Sequence, residues 1–298
     1  MDDLLDGRLV DAAAAVRDRA VSATELTRAC LDRIADRDAA IGAFLHVEAD
    51  AALAAAGRAD AADREGAPLG PLHGVPVARK DLFDRKGQIA TCGAWMLRDR
   101  RAEQTATVLA RLDTAGAIDL GGLTLSEFAF HVHGANRLGG PPRNPWDRER
   151  IAGGSSGGSA AALAARLVFG SMGSDSGGSI RSPAALCGVV GLVPTAGRVS
   201  RSGMMISSPT LDVAGPMARC VRDTARLFDA VAGHDRADPG SDRRGAPHAE
   251  ARLDQSVGAV TVAVPAARLL ETLTPCAREA VERADDRFRE FGWETVER

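Results

Sequence analysis

The chain has 298 residues, of which 45% are hydrophobic and 26% are charged, a balance typical of a folded globular protein. Its formal net charge is -3 and its charges are interspersed, which argues against nucleic acid or an anionic membrane as partner. The acidic N-terminus lacks the features of a signal peptide, and the sequence contains no run of about 18 apolar residues that could span a bilayer. The five scattered cysteines form no C-x-x-C pair. We therefore expect a cytoplasmic protein.

Helical patterns dominate the first third of the chain. Ser22-Ala23-Thr24-Glu25 is a capping box that predicts a helix through about Asp36, and the alanine-rich run from Glu48 to Asp63 predicts another. Short apolar segments then alternate with helices, which predicts an α/β fold with a mixed central β-sheet flanked by helices on both faces. These segments are Gly74 to Ala78, the helix Thr105 to Thr114, the strand Ala117 to Leu120 and the helix Ser159 to Arg166.

The second half of the chain is predicted to continue this alternation. Gly139 to Arg201 is rich in glycine and serine but contains apolar runs, so we interpret it as ordered loops that lead into core elements. After a predicted helix from Ala218 to Ala232, the polar stretch from His234 to Ser256 predicts a mobile surface connection. A strand-helix-strand unit follows, formed by Ala259 to Val264, Pro275 to Phe291 and Glu294 to Val296.

Lysine is rare in this chain. Only two of the 37 basic residues, Lys80 and Lys86, are lysine, so arginine supplies nearly every positive charge. Arginine cannot lose its proton in a protein, whereas a buried lysine can. Lys86 is followed by Gly87 and is interpreted as part of a surface turn. Lys80 is therefore the candidate for chemistry that needs a neutral amine.

Two glycine-rich turns carry serines. The turn from Gly153 to Ser159 leads directly into the apolar run Ala160 to Leu163, so its serines are expected at a helix N-terminus, where backbone N–H groups stabilise anions. The turn from Gly173 to Arg181 follows the strand-like segment Leu167 to Met172. Consecutive glycines let successive N–H groups converge on one point, which is the geometry of an oxyanion hole.

Together with the region around Lys80, these turns resemble the three ordered blocks of the amidase signature family. The blocks are LHGVPVARKD (Leu72 to Asp81), GGSSGGSAAA (Gly153 to Ala162) and GSDSGGSIRSPA (Gly173 to Ala184). Arg143 to Trp146 and Val189 to Pro194 also resemble flanking sequence of the family. Fatty acid amide hydrolase and the ammonia-releasing subunit of glutamyl-tRNA amidotransferase are related members.

The resemblance implies that Ser179 is the acyl nucleophile, Ser155 the proton relay and Lys80 the base. It also implies a cis peptide bond between Gly154 and Ser155. The backbone N–H groups implied to form the oxyanion hole are those of Ser176, Gly177, Gly178 and Ser179. A serine hydroxyl is a poor nucleophile unless a base takes its proton, and Lys80 can do so only if its pKa falls from about 10.4 toward 7.

The implied activity is hydrolysis of a small-molecule carboxylic amide through an acyl-enzyme, with neither a cofactor nor a metal. A homo-oligomer is compatible with the sequence. We interpret residues 1–298 as a single amidase signature domain with four regions: an N-terminal helical region (1–66), a catalytic core (67–232), a mobile connection (233–258) and a strand-helix-strand unit (259–298). Because family members are usually longer, we also consider a C-terminally truncated product with little or no activity.

Three other functions are compatible with parts of the sequence. The first is an α/β-hydrolase, because Gly153 to Gly157 satisfies G-x-S-x-G and would pair Ser155 with a histidine. That motif needs an apolar strand before the serine, whereas the stretch from Asn144 to Arg150 is polar. Glu127, His131 and His133 have spacing usable by a metal but no obvious further ligand. The glutaminase component of a tRNA-dependent amidotransferase is the third, although EFAFHVHGAN from Glu127 to Asn136 looks closer to general amidases.

Overall fold

The computed structural model describes residues 1–297, which form two compact units, one from Met1 to Glu250 and a second that begins at Ala251. The helices are α1 (Asp2–Asp6), α2 (Leu9–Arg17), α3 (Ala23–Arg37), α4 (Ala49–Arg64), α5 (Thr107–Thr114), α6 (Gly157–Ala164), α7 (Arg181–Cys187), α8 (Val221–Val231), α9 (Ala267–Leu270) and α10 (Pro275–Glu290). The strands are β1 (Phe44–Val47), β2 (Pro76–Lys80), β3 (Ile118–Leu123), β4 (Arg143–Asn144), β5 (Asp147–Ile151), β6 (Gly170–Asp175), β7 (Val190–Gly191), β8 (Val213–Ala218), β9 (Thr261–Val264) and β10 (Glu294–Glu297).

A six-stranded sheet organises the first unit, in the order β1-β3-β2-β6-β8-β7. Strand β2 runs parallel to β3 and β6, whereas β1, β8 and β7 are antiparallel to their neighbours. All residues of β2, β6 and β8 are buried, as expected for strands that are covered on both faces. This mixed sheet with flanking helices confirms the predicted fold class.

Helix α6 packs directly against the sheet because its residues are small and mostly apolar. Every residue from Gly157 to Leu163 is buried. Gly158 permits the close approach, since a Cβ added there would lie 2.5 Å from the carbonyl oxygen of Ala43 and from the backbone nitrogen of Thr124. The start of α6, and with it the turn that carries Ser155, is thereby held against the central strands.

The strand directions bring several chain segments to one edge of the sheet. In the parallel register of β2 and β6, Arg79 pairs with Met172, so Lys80 lies close to the last residues of β6. Strand β8 runs the opposite way, and its first residue, Val213, pairs with Asp175, the last residue of β6. The end of β2, the end of β6 and the start of β8 therefore meet at the same edge, where open α/β sheets commonly bind ligands.

Most helices predicted from the sequence form with ends shifted by a few residues. The capping box is present: Ser22 Oγ accepts from the Glu25 N–H at 3.1 Å, and the Ser22 N–H donates to the Glu25 carboxylate at 2.9 Å. The predicted helix start at Ala218 is wrong, because Ala218 is the last residue of β8 and helix α8 begins at Val221. The elements without a sequence prediction are α1, α2, β1, β4, β5, α7, β7, β8 and α9.

The second unit contains the predicted strand-helix-strand arrangement. Strands β9 and β10 pair in parallel, and Thr274 Oγ1 caps α10 by accepting from the Ala277 N–H at 3.4 Å. The mobility expected for His234 to Ser256 stays a prediction. None of the helices within residues 1–297 has the length and hydropathy of a transmembrane segment.

Candidate active site

Lys80 is fully buried at the end of β2, where it contacts two serine hydroxyls. Its Nζ donates to Ser155 Oγ at 2.6 Å and to Ser174 Oγ at 2.9 Å. Burial lowers the pKa of Lys80 to about 7, against the opposing effect of the nearby carboxylates of Asp175 and Asp212. An amine with this pKa is largely deprotonated above neutral pH and can accept a proton from a hydroxyl group.

The buried amine also predicts how stability depends on pH. The pKa of Lys80 is about 7 in the folded chain and 10.5 ordinarily, so between these values the unfolded chain binds more protons and the free energy of unfolding rises with pH. We expect Lys80→Met to be more stable than the wild type at about pH 6, and this advantage to shrink as the pH approaches about 10. Urea unfolding across this range, with the exposed Lys86→Met as control, measures it. A stability difference between Lys80→Met and the wild type that is the same at every pH would contradict the lowered pKa of Lys80.

Ser155 and Ser156 are fully buried in the turn that precedes α6. The peptide bond between Gly154 and Ser155 is cis, as the family resemblance implies. Ser156 fixes the turn to the end of β6, because its Oγ accepts from the Ser174 N–H at 3.3 Å and donates to the Ser174 carbonyl oxygen at 3.2 Å. Ser155 Oγ is thereby held beside the amine of Lys80.

Ser179 lies in the second glycine-rich turn and is partly exposed. The Ser156 N–H donates to the Ser179 carbonyl oxygen at 3.1 Å, which joins the two turns through their backbones. Within residues 1–297 the Ser179 hydroxyl makes no hydrogen bond, either to Ser155 Oγ or to another group. The structure therefore brings Lys80 and Ser155 into direct contact and places Ser179 in the adjoining turn.

The backbone N–H groups of this second turn have different partners. The Gly178 N–H donates to Asp175 Oδ1 at 2.8 Å, and the φ of +121° at Gly178 is one that other residues rarely adopt. The N–H groups of Ser176, Gly177 and Ser179 have no acceptor in the part of the chain that the structure describes. Three of the four N–H groups implied for the oxyanion hole are thus free to bind an anion.

Asp175 holds the second turn in shape. Its buried carboxylate accepts from the Ile180 N–H at 2.9 Å and from the Arg181 guanidinium at 2.9 Å. Burial alone would raise the pKa of Asp175, but the hydrogen bonds from Arg181 and from the N–H groups of Ile180 and Gly178 outweigh it and lower the pKa to about 2. The carboxylate therefore stays ionised at neutral pH and continues to bind these groups.

Two residues at the site lie outside the set predicted from the sequence. Ser174 has the sequence pattern of a turn residue, yet its hydroxyl is the second partner of Lys80. Asp212 has no sequence signal, and its carboxylate accepts a hydrogen bond from Ser176 Oγ. Ser174 could have been found from its place in the third block together with the parallel pairing of β2 and β6. Asp212 could not, because it depends on the pairing of β8.

A cavity of about 480 Å³ adjoins the site and has both apolar and polar lining residues. Its lining residues are Glu127, Phe128, Phe130, His131, Met205, Ile206 and Ser207. Its two walls are bonded together, because Ser207 Oγ donates to the Phe128 carbonyl oxygen at 2.7 Å. One wall continues to the first glycine-rich turn, since the Ser126 N–H donates to the Ser155 carbonyl oxygen at 3.3 Å. A larger cavity, of about 590 Å³ between α2, α3 and α4, includes none of the site residues.

The histidines do not form a rival site with Ser155. The hydrogen-bond partner of Ser155 Oγ is Lys80, and the strand that precedes its turn, β5, is exposed along its whole length, unlike the buried strand that a G-x-S-x-G nucleophile follows. The rings of His131 and His133 stack on each other at 4.8 Å. No group of three or more His, Cys, Asp or Glu residues between positions 1 and 297 is arranged to hold a metal ion.

Comparison with known proteins identifies the class to which this fold and site belong. The Amidase family model matches residues 25–298, so the chain belongs to the amidase signature family. A relative from Acidothermus cellulolyticus, one of the subunits of its glutamyl-tRNA(Gln) amidotransferase, is 50% identical over 238 residues. These residues make up 80% of this chain and 47% of the relative, so the chain spans about half the length of that protein.

Solved structures show the same similarity. One comes from a vestigial protein complex that is described as revealing the evolutionary origins of an s-triazine catabolic enzyme. It superposes with a TM-score of 0.93 at 38% identity, and the match covers 98% of this chain and 64% of that one. The native peptide amidase from Stenotrophomonas maltophilia superposes with a TM-score of 0.91 at 34% identity, covering 98% of this chain and 61% of that one. The architecture described above is therefore shared over almost the whole chain.

Proposed function

We propose that this chain is an amidohydrolase that cleaves a carboxylic amide with Ser179 as nucleophile, Ser155 as proton relay and Lys80 as base. The observation that carries the proposal is the 2.6 Å contact between Lys80 Nζ and the buried Ser155 Oγ. Burial lowers the pKa of Lys80 to about 7, so near neutral pH the amine can act both as a base and, once protonated, as an acid. Membership of the amidase signature family supports the same chemistry.

The reaction proceeds in two halves. Ser179 Oγ attacks the amide carbon while its proton passes to Ser155, and the Ser155 proton passes to Lys80. The tetrahedral intermediate collapses as the carbon–nitrogen bond breaks, and the relay returns the proton to the departing amine. Water then attacks the Ser179 ester by the same route, which releases the carboxylic acid and restores the serine.

We assign the oxyanion to the N–H groups of Ser176, Gly177 and Ser179. These three are without a protein acceptor within residues 1–297, whereas the N–H of Gly178 is occupied by Asp175. Gly178 thus supports the turn through Asp175, and the N–H groups of its neighbours remain available to the substrate. Donors aligned before the reaction stabilise the developing charge without reorganising.

The adjoining 480 Å³ cavity favours an uncharged, apolar substituent on the substrate. Four of its seven lining residues, Phe128, Phe130, Met205 and Ile206, are apolar, and Glu127 is the acidic member beside His131 and Ser207. An aliphatic or aromatic group gains free energy by leaving water for such a surface. A carboxylate would instead face Glu127, with no Lys or Arg among the lining residues.

A series of aliphatic amides tests this preference. Lengthening the acyl chain from acetamide to hexanamide should raise kcat/KM by roughly fourfold per methylene while the cavity accommodates it. Ile206→Ala should weaken this dependence on length and leave acetamide turnover nearly unchanged, because acetamide does not reach the side chain. Leu253→Ala, a similar truncation in the second unit, is the control. Equal kcat/KM values along the series would contradict an apolar pocket.

The second candidate is the glutaminase component of an amidotransferase. It is favoured by the 50% identity to the glutamyl-tRNA(Gln) amidotransferase protein of Acidothermus cellulolyticus. The two functions differ in substrate and in assembly. A preference for L-glutamine over hexanamide, together with partner subunits that co-purify with the chain, would establish the glutaminase and displace the amidase.

A further inference from the structure

Asp212 is a buried carboxylate that links two parts of the site. It is only 5% exposed. Its Oδ1 accepts from the hydroxyl of Ser176, the first residue of the proposed oxyanion turn. Its Oδ2 accepts from the N–H groups of Ser207 at 2.6 Å and Ser208 at 2.9 Å, in the segment that forms one wall of the adjoining cavity. One side chain therefore connects the oxyanion turn with the cavity wall.

The sheet register explains how Asp212 reaches these partners. Val213 at the start of β8 pairs with Asp175 at the end of β6, so the residues one step beyond the ladder, Asp212 and Ser176, face each other across the sheet edge. The Asp212 N–H donates to the Ser208 carbonyl oxygen at 3.0 Å, which folds the 208–212 turn back onto the carboxylate. The arrangement therefore depends on the pairing of β6 with β8.

The carboxylates of Asp212 and Asp175 differ in whether a cation is paired with them. Both carboxylates favour the charged form of Lys80. Cys92, in the loop that follows β2, stays a neutral thiol near pH 7, because burial raises its pKa to about 12. Asp175 is paired with the Arg181 guanidinium at 2.9 Å, which compensates its charge. Among the ion pairs of residues 1–297, none involves Asp212, whose partners are a hydroxyl and two backbone N–H groups. No cation in this part of the chain therefore pairs with the carboxylate of Asp212, whereas that of Asp175 is paired with Arg181.

We infer that Asp212 is a positioning residue of this site: it holds the oxyanion turn and the cavity wall in place, and from there it adds to the negative charge near Lys80. The inference rests on the proposed function for its catalytic consequence. Its electrostatic part concerns two side chains of the folded protein and can be measured without turnover.

The scarcity of lysine makes that measurement direct. In the full chain labelled with lysine enriched in ¹³C at the ε carbon, NMR shows one signal each from Lys80 and Lys86, and Lys86→Arg identifies the signal of Lys80. Asp212→Asn removes the charge but keeps the side-chain shape. We expect the titration midpoint of Lys80 to fall by about half a pH unit or more, because an anion that favours the ammonium form has been lost.

Two further variants separate charge from position. Asp238→Asn is the control for burial and backbone hydrogen bonding, since Asp238 is similarly buried and accepts from the N–H groups of Arg201 and Gly240, both at 2.9 Å. Unlike Asp212, it is paired with a guanidinium, that of Arg201 at 3.2 Å, and it is not among the groups that shift the pKa of Lys80. This substitution should leave the Lys80 midpoint unchanged. Ser176→Ala keeps the charge of Asp212 and removes one of its hydrogen bonds. It should lower kcat by roughly tenfold or more with an unchanged midpoint, because the oxyanion turn loses its anchor.

The outcomes are distinct. A Lys80 midpoint that is the same in Asp212→Asn as in the wild type overturns the electrostatic role, and wild-type kcat in Ser176→Ala overturns the positioning role. If Asp212→Asn does not fold, Ser176→Ala alone still decides the positioning role. If Ser179→Ala and Lys80→Arg both retain turnover, the proposed function fails, while the NMR titration still decides whether the charge of Asp212 acts on Lys80.

Discussion

Replacing Ser179 with alanine is expected to reduce kcat by roughly ten-thousandfold or more, which is the usual loss when a serine nucleophile is removed. In the proposed mechanism, no acyl-enzyme can form without the Ser179 hydroxyl. Ser155 cannot take its place, because it is fully buried and its Oγ is bonded to Lys80. Steady-state turnover of hexanamide, with mass spectrometry after treatment with a fluorophosphonate, measures both catalysis and acylation of the serine.

Ser182→Ala is the matched control for this prediction. Ser182 lies in α7, only three positions further along the chain, and its backbone N–H donates to the Gly178 carbonyl oxygen at 2.7 Å. Its side chain has no hydrogen bond in the described part of the chain, so its removal should leave kcat within about twofold, as expected for a substitution that breaks no interaction. Fluorophosphonate labelling of Ser179→Ala at the wild-type rate would show that another residue is the nucleophile.

Replacing Lys80 with arginine is expected to reduce kcat by roughly a thousandfold or more, in the range attributed to general acid–base catalysis. Arginine retains the positive charge but cannot give up its proton, so it cannot accept one from Ser155. The guanidinium would also have to occupy the space in which Nζ contacts Ser155 and Ser174. The loss should appear in kcat at every pH between about 6 and 9, because no deprotonated form of the base becomes available.

The second lysine of the chain provides a control with the identical substitution. Lys86 is exposed, and Lys86→Arg should have wild-type kcat and stability. Thermal unfolding of Lys80→Arg and Lys80→Met separates a folding defect from a catalytic one, since both variants must melt cooperatively for their rates to be interpreted. Turnover by Lys80→Arg within tenfold of the wild type would exclude Lys80 as the base.

The sequence predicts the helices whose stability comes from interactions between residues close together in the chain. The capping box before α3 and the alanine-rich α4 have helical signatures within a few residues, and both helices form near the predicted positions. Strand β8 has no such signature, because Gly215 and Pro216 disfavour strand structure in isolation. The pairing of Pro216 with Met172 of β6 forms only in the complete sheet.

The candidate site likewise has residues that the sequence predicts and contacts that it does not. The three sequence blocks locate Lys80, Ser155 and Ser179, because each block is a continuous stretch of chain. The contact of Lys80 with Ser174 requires the parallel register of β2 and β6, and the contact of Asp212 with Ser176 requires the antiparallel register of β6 and β8. Sheet register is a property of the whole fold, and neither contact has a signature within a single segment.

The order of burial in the site has a consequence for the fate of the transferred proton. Ser179 is partly exposed, whereas Ser155 and Lys80 are fully enclosed, so buffer molecules reach the outer end of the chain of hydroxyls but not the amine. In the proposed mechanism, a proton held at Lys80 during acylation can leave only through the buried hydroxyls of Ser155 and Ser174, its two hydrogen-bond partners. It is therefore retained until the amine product departs, and the rate of turnover should not depend on the concentration or identity of the buffer.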